Sequence, residues 1–283
     1  MNLLEVNSLT KSYPSFKLDD VSFSLKEGYI MGFIGKNGAG KSTTIKCIYN
    51  LIKKDKGDIS LLGKKLEDIS ETKLKQDVSL MLGGMNIYPT YKLGRIIEVV
   101  SSFYPNFDRQ TYSRLMDKFE LDENKKFKEL SNGMKSKYLL TLAMSHNARL
   151  LILDEPTSGL DPFSRDQILE ELQRYIQDGT KSILFSTQIV SDLESIADYI
   201  TYIKKGRVVD FASKDDFISS YTKFACSRQI GESIDSSILV GKRETSVSFE
   251  GLIRSKDKNK LPSNIEISLP TIEEIMVFSE RGK

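Results

Sequence analysis

The sequence predicts an α/β fold, in which helices cover both faces of a parallel β-sheet and a smaller α+β region follows. Three nearly continuous apolar runs support this prediction, at 29–34, 150–153 and 182–186. Runs of this kind are typical of strands that are buried on both faces. Because helical patterns separate the runs, we expect their strands to lie parallel in one sheet.

The first thirty residues predict further β-structure. Apolar and polar residues alternate strictly at 21–25, as they do in a half-buried strand. The triplet Lys-Glu-Gly at 26–28 predicts a turn. The apolar run at 29–34 then leads into a glycine-rich stretch and a helix that is predicted from Lys41 to about Leu51.

The segments that follow continue the alternation of helices and strands. Residues from about 85 to 150 predict mostly helices with interspersed aromatic side chains. An Asp-Pro pair at 161–162 predicts the start of another helix, because Asp is a favoured N-cap and Pro suits the first helical position. This helix is expected to end near Gly179. Residues 199–209 predict a hairpin that turns at 204–206.

The pattern weakens near residue 215, which divides the chain into a domain over 1–215 and a small C-terminal accessory region over 216–283. Short β-like runs occur at 246–249 and 265–268, with a charged turn at 254–260. These features predict a small α+β appendage without a chemical motif.

The composition narrows the possible classes of function. The chain has 283 residues, of which 39% are hydrophobic and 28% charged, and this balance is typical of globular rather than disordered proteins. A net charge of +2 gives no electrostatic reason to expect nucleic acid as a partner. Two cysteines without metal-ligand spacing exclude a disulfide-rich fold. A single histidine, His146, excludes any site that needs several imidazoles.

The sequence also indicates where in the cell the protein is expected. No apolar run approaches the roughly 18 residues of a membrane span, and the first five residues lack the features of a signal peptide. We therefore expect a cytosolic protein, which would act at a membrane only by binding a partner that spans it. His146, Cys47 and Cys226 are interpreted as packed side chains.

A phosphate-binding motif follows the first buried run. The stretch fits the pattern G-x-x-x-x-G-K-[ST], after a strand and at the start of a helix, which is the context the motif requires. Its glycines allow consecutive N–H groups to surround phosphates, and the helix N-terminus adds positive potential. We expect Lys41 to bridge the β- and γ-phosphates and Ser42 to bind Mg²⁺. The residues are Gly35, Lys36, Asn37, Gly38, Ala39, Gly40, Lys41, Ser42 and Thr43.

Two carboxylates follow the second buried run. A strand that ends in Asp154 places that carboxylate at the carboxyl edge of the sheet, beside the phosphate loop, where it is expected to hold Mg²⁺ through water. Glu155, one residue later, is expected to act as the general base for the water that attacks the γ-phosphate. The alternative is an acidic strand end that merely faces solvent.

Two further segments carry a family resemblance. The residues Leu-Ser-Asn-Gly-Met at 130–134 resemble the signature motif LSGGQ of ABC ATPases, and Ser-Gly-Leu-Asp at 158–161 resembles their D-loop. The order and spacing are similar to those of the nucleotide-binding subunits of ABC transporters over about residues 2–215. The nearest likeness is to ATPases of bacterial drug, antibiotic and antimicrobial-peptide exporters. The resemblance implies a P-loop NTPase core with an antiparallel β-subdomain and a helical subdomain at about 85–150.

The resemblance also implies a mechanism and its residues. Two subunits would close head to tail around two ATP molecules, with Mg²⁺ at each site. Ser131 and the backbone N–H of Gly133 would contact the γ-phosphate that is bound to the opposite subunit, and Asp161 of the D-loop is assigned to the same interface. Tyr13 matches the aromatic residue that stacks on adenine, for which a flat ring is suited. The alternative for Tyr13 is a tyrosine in the core.

The chain departs from the family pattern at two places. Gln188 stands where the family has its switch histidine, and a glutamine cannot become cationic. The glutamine of the family's Q-loop aligns near Gly83 or Gly84, neither of which has a side chain, while Gln76 lies too early, in what is interpreted as a strand region. The sensing of the γ-phosphate is therefore expected to be altered, with Lys41 retained. Slow ATP hydrolysis, or one weakened site in a heterodimer, would follow.

The resemblance implies two protein partners and a location. They are a separate membrane-spanning subunit and a second ATP-binding subunit, at the cytoplasmic face of the membrane. The aromatic segment 85–107 would form the groove for the membrane subunit, unless its rings fill the subdomain core. Two rival functions are an ABC protein without a transporter, such as a translation or DNA-repair factor, and a regulatory module that holds ATP without hydrolysing it.

Overall fold

A computed structural model describes residues 1–85, 87–263 and 265–282. The chain divides into two compact units, Met1–Val209 and Asp210–Lys283. Within the described residues, no helix has the length and apolar character that are needed to cross a membrane.

The elements are numbered in chain order. The strands are β1 (Asn2–Tyr13), β2 (Phe16–Lys26), β3 (Ile30–Ile34), β4 (Lys56–Leu61), β5 (Lys64–Lys65), β6 (Val78–Met81), β7 (Leu150–Asp154), β8 (Ser182–Thr187), β9 (Tyr199–Lys204), β10 (Arg207–Ser213), β11 (Tyr221–Ser227), β12 (Leu239–Glu244), β13 (Ser248–Arg254) and β14 (Glu266–Ser268). The helices are α1 (Lys41–Ile48), α2 (Glu71–Asp77), α3 (Leu93–Ser102), α4 (Arg109–Lys118), α5 (Asn132–Ser145), α6 (Pro162–Tyr175), α7 (Val190–Ile196), α8 (Lys214–Ser219), α9 (Arg228–Glu232) and α10 (Ile272–Arg281). Short 3-10 helices occur at Leu66–Asp68, Phe127–Glu129, Ser236–Ile238 and Ser255–Lys260.

The central sheet confirms the predicted α/β fold. Its strand order is β10-β9-β3-β8-β7-β6, and β3 pairs in parallel with both β8 and β9. The strands β6, β7 and β8 are also parallel to their neighbours. Every residue of β3, β7 and β8 is buried, because these apolar strands are covered on both faces.

A second sheet confirms the predicted antiparallel β-structure. Its order is β2-β1-β4-β5, and all three of its pairings are antiparallel. Its apolar side chains join those of the central sheet and α1 in one core, which includes Leu4, Phe23, Phe33 and Ile45. The phosphate loop is thus attached to two packed sheets.

The predicted helical segment contains α3, α4 and α5. The apolar face of α3 buries Leu93, Ile96 and Ile97. The buried Tyr138 of α5 donates a hydrogen bond from its hydroxyl to the Leu93 carbonyl oxygen at 2.8 Å, which ties α3 to α5. Asp108 caps α4 by accepting from the Thr111 backbone N–H at 3.0 Å.

Two helix ends and the type of one element differ from the sequence prediction. The helix α1 ends at Ile48 and not near Leu51, because the chain turns at Asn50 with a left-handed φ of 56°. The helix α6 ends at Tyr175, before Gly179. Gln76 lies on the helix α2 and not in a strand region.

The C-terminal unit has its own sheet and core. Its strand order is β12-β13-β11-β14, and the rings of Phe224 and Phe249 stack with centroids 6.0 Å apart. Gly251 permits this arrangement, since a Cβ there would lie 2.3 Å from the Phe224 ring. The predicted charged turn at 254–260 is a 3-10 helix. The unit is α+β, and a capping box between Thr271 and Glu274 starts its last helix.

Candidate active site

The candidate site lies at the carboxyl edge of the central sheet. The strands β7, β8 and β3 are neighbours, so that the segments after them meet at one edge. These segments border a cavity of about 750 Å³, and its lining includes Ser42, Asp154, Glu155 and Gln188. This cavity therefore brings together Ser42 and Asp154, predicted for metal binding, and Glu155 and Gln188, predicted for catalysis. Lys41 lines an adjacent cavity, which Ser42 and Glu155 also border.

The phosphate loop folds as its glycines require. Gly38 and Gly40 have φ values of 80° and 117°, which side chains with a Cβ rarely adopt. The ammonium of Lys41 is buried and donates to the carbonyl oxygens of Gly35 at 2.6 Å and Lys36 at 3.4 Å. The loop thus holds a cation at its centre, at the N-terminus of α1, and this arrangement is suited to phosphate.

A cavity of about 410 Å³ also opens on this loop. Ser15 and Phe16 of the β1–β2 hairpin line it together with Lys36, Gly38 and Thr43. The sequence analysis did not identify Ser15 or Phe16, because a short turn between two strands carries no chemical motif. This cavity extends the space beside the phosphate loop toward the antiparallel sheet.

Asp154 ends the strand β7 and is buried. Its Oδ1 accepts a short hydrogen bond from the hydroxyl of Ser186 on β8, which fixes the orientation of the carboxylate. Ser186 was not identified from the sequence as a site residue, although a polar residue at the end of a buried strand was a usable signal.

The donor set fits Mg²⁺ that is shared with a phosphate ligand. In the described part of the chain, no group of three or more His, Cys, Asp or Glu residues could hold a metal ion. Mg²⁺ is usually bound through one or two carboxylates, waters and substrate phosphates rather than by a cage of protein ligands. The carboxylate of Asp154 and the hydroxyl of Ser42 border one cavity, as such a site requires.

Glu155 adopts an unusual backbone conformation. Its φ is 53°, in the left-handed region that residues other than glycine seldom occupy. Its N–H donates to the Ser186 carbonyl oxygen at 2.9 Å, and its Oε2 accepts from the Gln188 backbone N–H at 3.4 Å. Its Oε1 lies 3.6 Å from the Lys41 ammonium and is buried without a hydrogen-bond partner.

The surroundings of the Glu155 carboxyl favour its role as a general base. Burial raises the pKa of its carboxyl above the ordinary range, although the ammonium of Lys41 opposes this shift. A raised pKa makes a carboxylate a better proton acceptor near neutral pH. Together, the absence of a hydrogen bond to Oε1 and the raised pKa favour a carboxylate that can accept a proton.

Comparisons with known proteins decide the family. The sequence model described as ABC transporter matches residues 18–158. Linearmycin resistance ATP-binding protein LnrL from Bacillus subtilis (strain 168) is 31% identical over 238 residues, which make up 82% of this chain and 73% of LnrL. The chain belongs to the ABC transporter family. It is an ABC ATPase, and the resemblance inferred from its motifs is confirmed.

Two further comparisons extend along the chain. The ABC transporter ATP-binding protein YtrB from the same organism is 28% identical over 291 residues, which cover 99% of each chain. A solved structure described as the ATP-binding subunit of an ABC transporter superposes with a TM-score of 0.69 and 31% identity, over 76% of this chain and 91% of that one. Proteins named for import and for export both match this ABC ATPase.

The signature motif of this ABC ATPase lies at the start of α5. Ser131 is the N-cap and accepts from the Met134 backbone N–H at 3.2 Å. Gly133 lies close to the D-loop, since a Cβ there would be 3.0 Å from the Leu160 side chain. Asp161 caps α6 by accepting from the Ser164 N–H at 2.9 Å. The contacts of Ser131, Gly133 and Asp161 with ATP stay predictions.

The two departures from the family pattern both occur at the cavity wall. Gln188 and Gly83 line the main cavity. A Cβ at Gly83 would lie 3.1 Å from the Asp154 carbonyl oxygen, so that this backbone directly contacts the end of β7. Gly84 has a φ of 71°, which disfavours a side chain there. A side chain at Gly83 would therefore begin beside the Asp154 backbone and, at 3.6 Å, the Cβ of Glu155.

The structure also shows the burial of the remaining residues discussed from the sequence, namely Tyr13, His146, Cys47 and Cys226. Tyr13 is 41% exposed, so it is not a core tyrosine, and its stacking on adenine stays a prediction. His146 and Cys47 are buried; His146 lies against the ring of Tyr104 at 3.9 Å, and burial lowers its pKa to about 4. Cys226 is half-buried. The prediction that these residues are packed is confirmed for His146 and Cys47.

Proposed function

We propose that this ABC ATPase is the motor subunit of an exporter: it binds and hydrolyses ATP at a head-to-tail dimer interface and drives transport through a separate membrane subunit. The observation that carries the proposal is the convergence of Ser42, Asp154 and Glu155 on one cavity, with Lys41 beside it. The Lys41 ammonium lies 3.6 Å from Glu155, and the adjacent cavity on the phosphate loop is lined by Lys41, Ser42 and Glu155.

Binding is assigned to the phosphate loop and its neighbours. The N–H groups of Gly38 and Gly40 and the ammonium of Lys41 would receive the β- and γ-phosphates. Ser42 and Asp154 would hold Mg²⁺, which neutralises phosphate charge when it is bound. Tyr13 would stack on the adenine from the end of β1.

Hydrolysis is assigned to Glu155. Its carboxylate would accept a proton from water as the water oxygen bonds to the γ-phosphorus and the bond from that phosphorus to the β–γ bridging oxygen breaks. The products are ADP and phosphate. The Lys41 ammonium stabilises the charge that develops on the phosphate oxygens. Gln188 would donate its side-chain N–H to the γ-phosphate, as a neutral replacement for the family's switch histidine.

Partner binding is assigned to two surfaces. Ser131, Gly133 and Asp161 would face ATP on a second subunit, and Ser131 is exposed as this role requires. Three rings of the segment 85–107 are exposed, namely those of Tyr88, Tyr91 and Phe103, which favours the groove for a membrane subunit over the subdomain core. The chain would then sit at the cytoplasmic face of the membrane. The likeness to LnrL, which is named for resistance to linearmycin, supports export.

The variant Glu155→Gln tests this proposal. It keeps the size of the side chain and removes the base, so we expect normal ATP binding, loss of hydrolysis, and an ATP-dependent dimer in gel filtration with light scattering. Glu120→Gln is the matched control, because Glu120 is an exposed glutamate that also has a left-handed φ, of 54°.

Hydrolysis that survives in Glu155→Gln would contradict the role of the base. A monomer at saturating ATP, both alone and with the co-expressed membrane subunit, would contradict the head-to-tail model. Export is tested separately in sealed vesicles, with ATP supplied on the side of the membrane that carries the ATPase. Export requires that substrate leaves that side and appears on the opposite side.

A further inference from the structure

A buried carboxylate outside the described chemistry lies on the helix after Gln188. Asp192 is 2% exposed and belongs to α7. Both of its oxygens are engaged with elements that are distant in sequence. A buried charge is costly unless it is paired and hydrogen-bonded, so the contacts of Asp192 determine what it holds in place.

One contact is to the segment that follows the base. The Thr157 hydroxyl donates to Asp192 Oδ2 at 2.6 Å, and the pair is buried. Thr157 lies two residues after Glu155, and the Ser158 N–H donates to the Glu155 carbonyl oxygen at 3.3 Å. The same turn leads into the D-loop. Asp192 therefore anchors the turn that starts at Glu155.

The second contact is to the helix after the D-loop. The guanidinium of Arg165 donates to Asp192 Oδ1 through Nε at 3.1 Å and through Nη2 at a shorter distance. Its Nη2 also donates to the Ser191 hydroxyl oxygen at 3.0 Å. Arg165 is in the first turn of α6, which Asp161 caps. The carboxylate of Asp192 thus joins Thr157 and Arg165, the two ends of the segment 157–165, to α7.

The third link leads back to the catalytic residues. Gln188 lies two residues before α7, and its N–H donates to Glu155 Oε2. Two links therefore join the segment from Gln188 to Asp192 to the segment from Glu155 to Arg165. One link is the hydrogen bond at the base Glu155, and the other is the contact of buried Asp192 with buried Thr157 and half-buried Arg165.

We propose that Asp192 is a positioning residue for ATP hydrolysis, which keeps Glu155 and the D-loop in one fixed geometry relative to Gln188. This inference rests on the proposed function, because it assumes that Glu155 is the base and that the D-loop faces a second subunit. A displacement of about 1 Å of a reacting group reduces a rate by up to about 10²-fold. The network therefore acts on the catalytic step, while the phosphate loop holds ATP independently.

The main experiment compares Asp192→Asn with the wild type in steady-state ATPase assays. Asparagine keeps the shape but replaces the charge that Arg165 requires, so we expect kcat to fall by about ten- to a hundredfold with KM for ATP unchanged. Asp192→Glu restores the carboxylate and should recover part of kcat. In the Glu155→Gln background, Asp192→Asn should reduce the fraction of ATP-dependent dimer at a given ATP concentration.

A second pair of variants removes one contact only. Thr157→Val deletes the hydroxyl with little change of shape, whereas Thr157→Ser keeps the donor. We expect the valine variant to lose kcat in the same direction as Asp192→Asn and the serine variant to retain it. If Asp192→Asn does not fold, this pair alone decides the question.

The matched control is Glu171→Gln. Glu171 is a fully buried carboxylate on α6 that also pairs with an arginine, Arg114, at 2.8 Å. It lies six residues beyond Arg165, about 9 Å along the helix. If Asp192 acts by positioning the catalytic residues and not by stabilising the fold, Glu171→Gln should lower the melting temperature without a selective loss of kcat.

The outcomes separate the inference from the proposed function. Unchanged kcat in Asp192→Asn and Thr157→Val would overturn the inference, and so would an equal loss of kcat in Glu171→Gln. In both cases, ATP hydrolysis by the wild type would still support the proposed function. A loss that appears in KM instead of kcat would overturn it as well. A wild-type protein that does not hydrolyse ATP would overturn the proposed function itself.

Discussion

The phosphate-holding side of the site differs from the side that would sense the γ-phosphate. The holding side keeps every charged group that the family pattern requires, including Lys41 and Asp154. The sensing side has a neutral amide at Gln188 and no side chain at Gly83. We therefore expect the affinity for ATP and the rate of its hydrolysis to depend on different residues of the site. This chain would then bind ATP in the ordinary way and hydrolyse it slowly.

The largest expected effect is on the holding side. Lys41→Ala removes the buried ammonium that lies among the loop carbonyls, and we expect turnover to fall by about 10³-fold together with a loss of ATP affinity. Calorimetric titration with ATP and a phosphate-release assay measure the two effects. Lys53→Ala, which removes an exposed cation outside the phosphate loop, is the control. Unchanged affinity and turnover in Lys41→Ala would contradict the assignment of the phosphate site.

A smaller effect is expected on the sensing side. Gln188→His provides a side chain that becomes cationic or donates a stronger hydrogen bond to the γ-phosphate, so we expect kcat to rise by about tenfold with ATP affinity unchanged. The assay is steady-state turnover with the membrane subunit present for both proteins. A histidine variant that binds ATP normally but is no faster would show that Gln188 does not limit the rate. Gly83 would then be the remaining difference.

The smallest expected effect is a shift of the acidic limb of the kcat profile to higher pH. Only the ionised carboxylate of Glu155 accepts a proton, and burial raises its pKa. Turnover should therefore increase as pH rises through that pKa, and the acidic limb of the kcat profile should lie above the value of about 4.3 for a free glutamate. The measurement is kcat from pH 4.5 to 8 at saturating ATP. A profile that is flat down to pH 4.5 would contradict the raised pKa of the base.

The sequence was sufficient for the groups that belong to local motifs. The phosphate loop, Asp154 and Glu155 occur in short patterns with a fixed position relative to a strand or a helix, and these patterns predicted both the parallel sheet and the edge at which the site lies. Helix ends were predicted less well, because the left-handed turn at Asn50 depends on local backbone energies that do not alter the apolar pattern.

The sequence was not sufficient for contacts between distant segments. Arg165 and Asp192 are 27 residues apart, and each appears in the sequence as an ordinary charge on a helix. Asp192 becomes buried, and Arg165 half-buried, only when α6 and α7 pack together. The exposure of the aromatic rings at 85–107 could not be predicted for the same reason, since an apolar side chain looks alike in a core and on a partner surface.

The left-handed backbone at Glu155 has a consequence for thermal denaturation. A residue other than glycine in this region destabilises the folded chain by about 1 to 3 kcal/mol, and the carboxylate beside it is partly desolvated. Activity and folding free energy therefore oppose each other at this one residue, as they often do at active sites. Inactive variants at position 155 that relax the backbone, glycine above all, would melt at a higher temperature. In ligand screens by thermal shift, a higher melting temperature of such a variant would therefore reflect relief of backbone strain and not tighter binding of nucleotide.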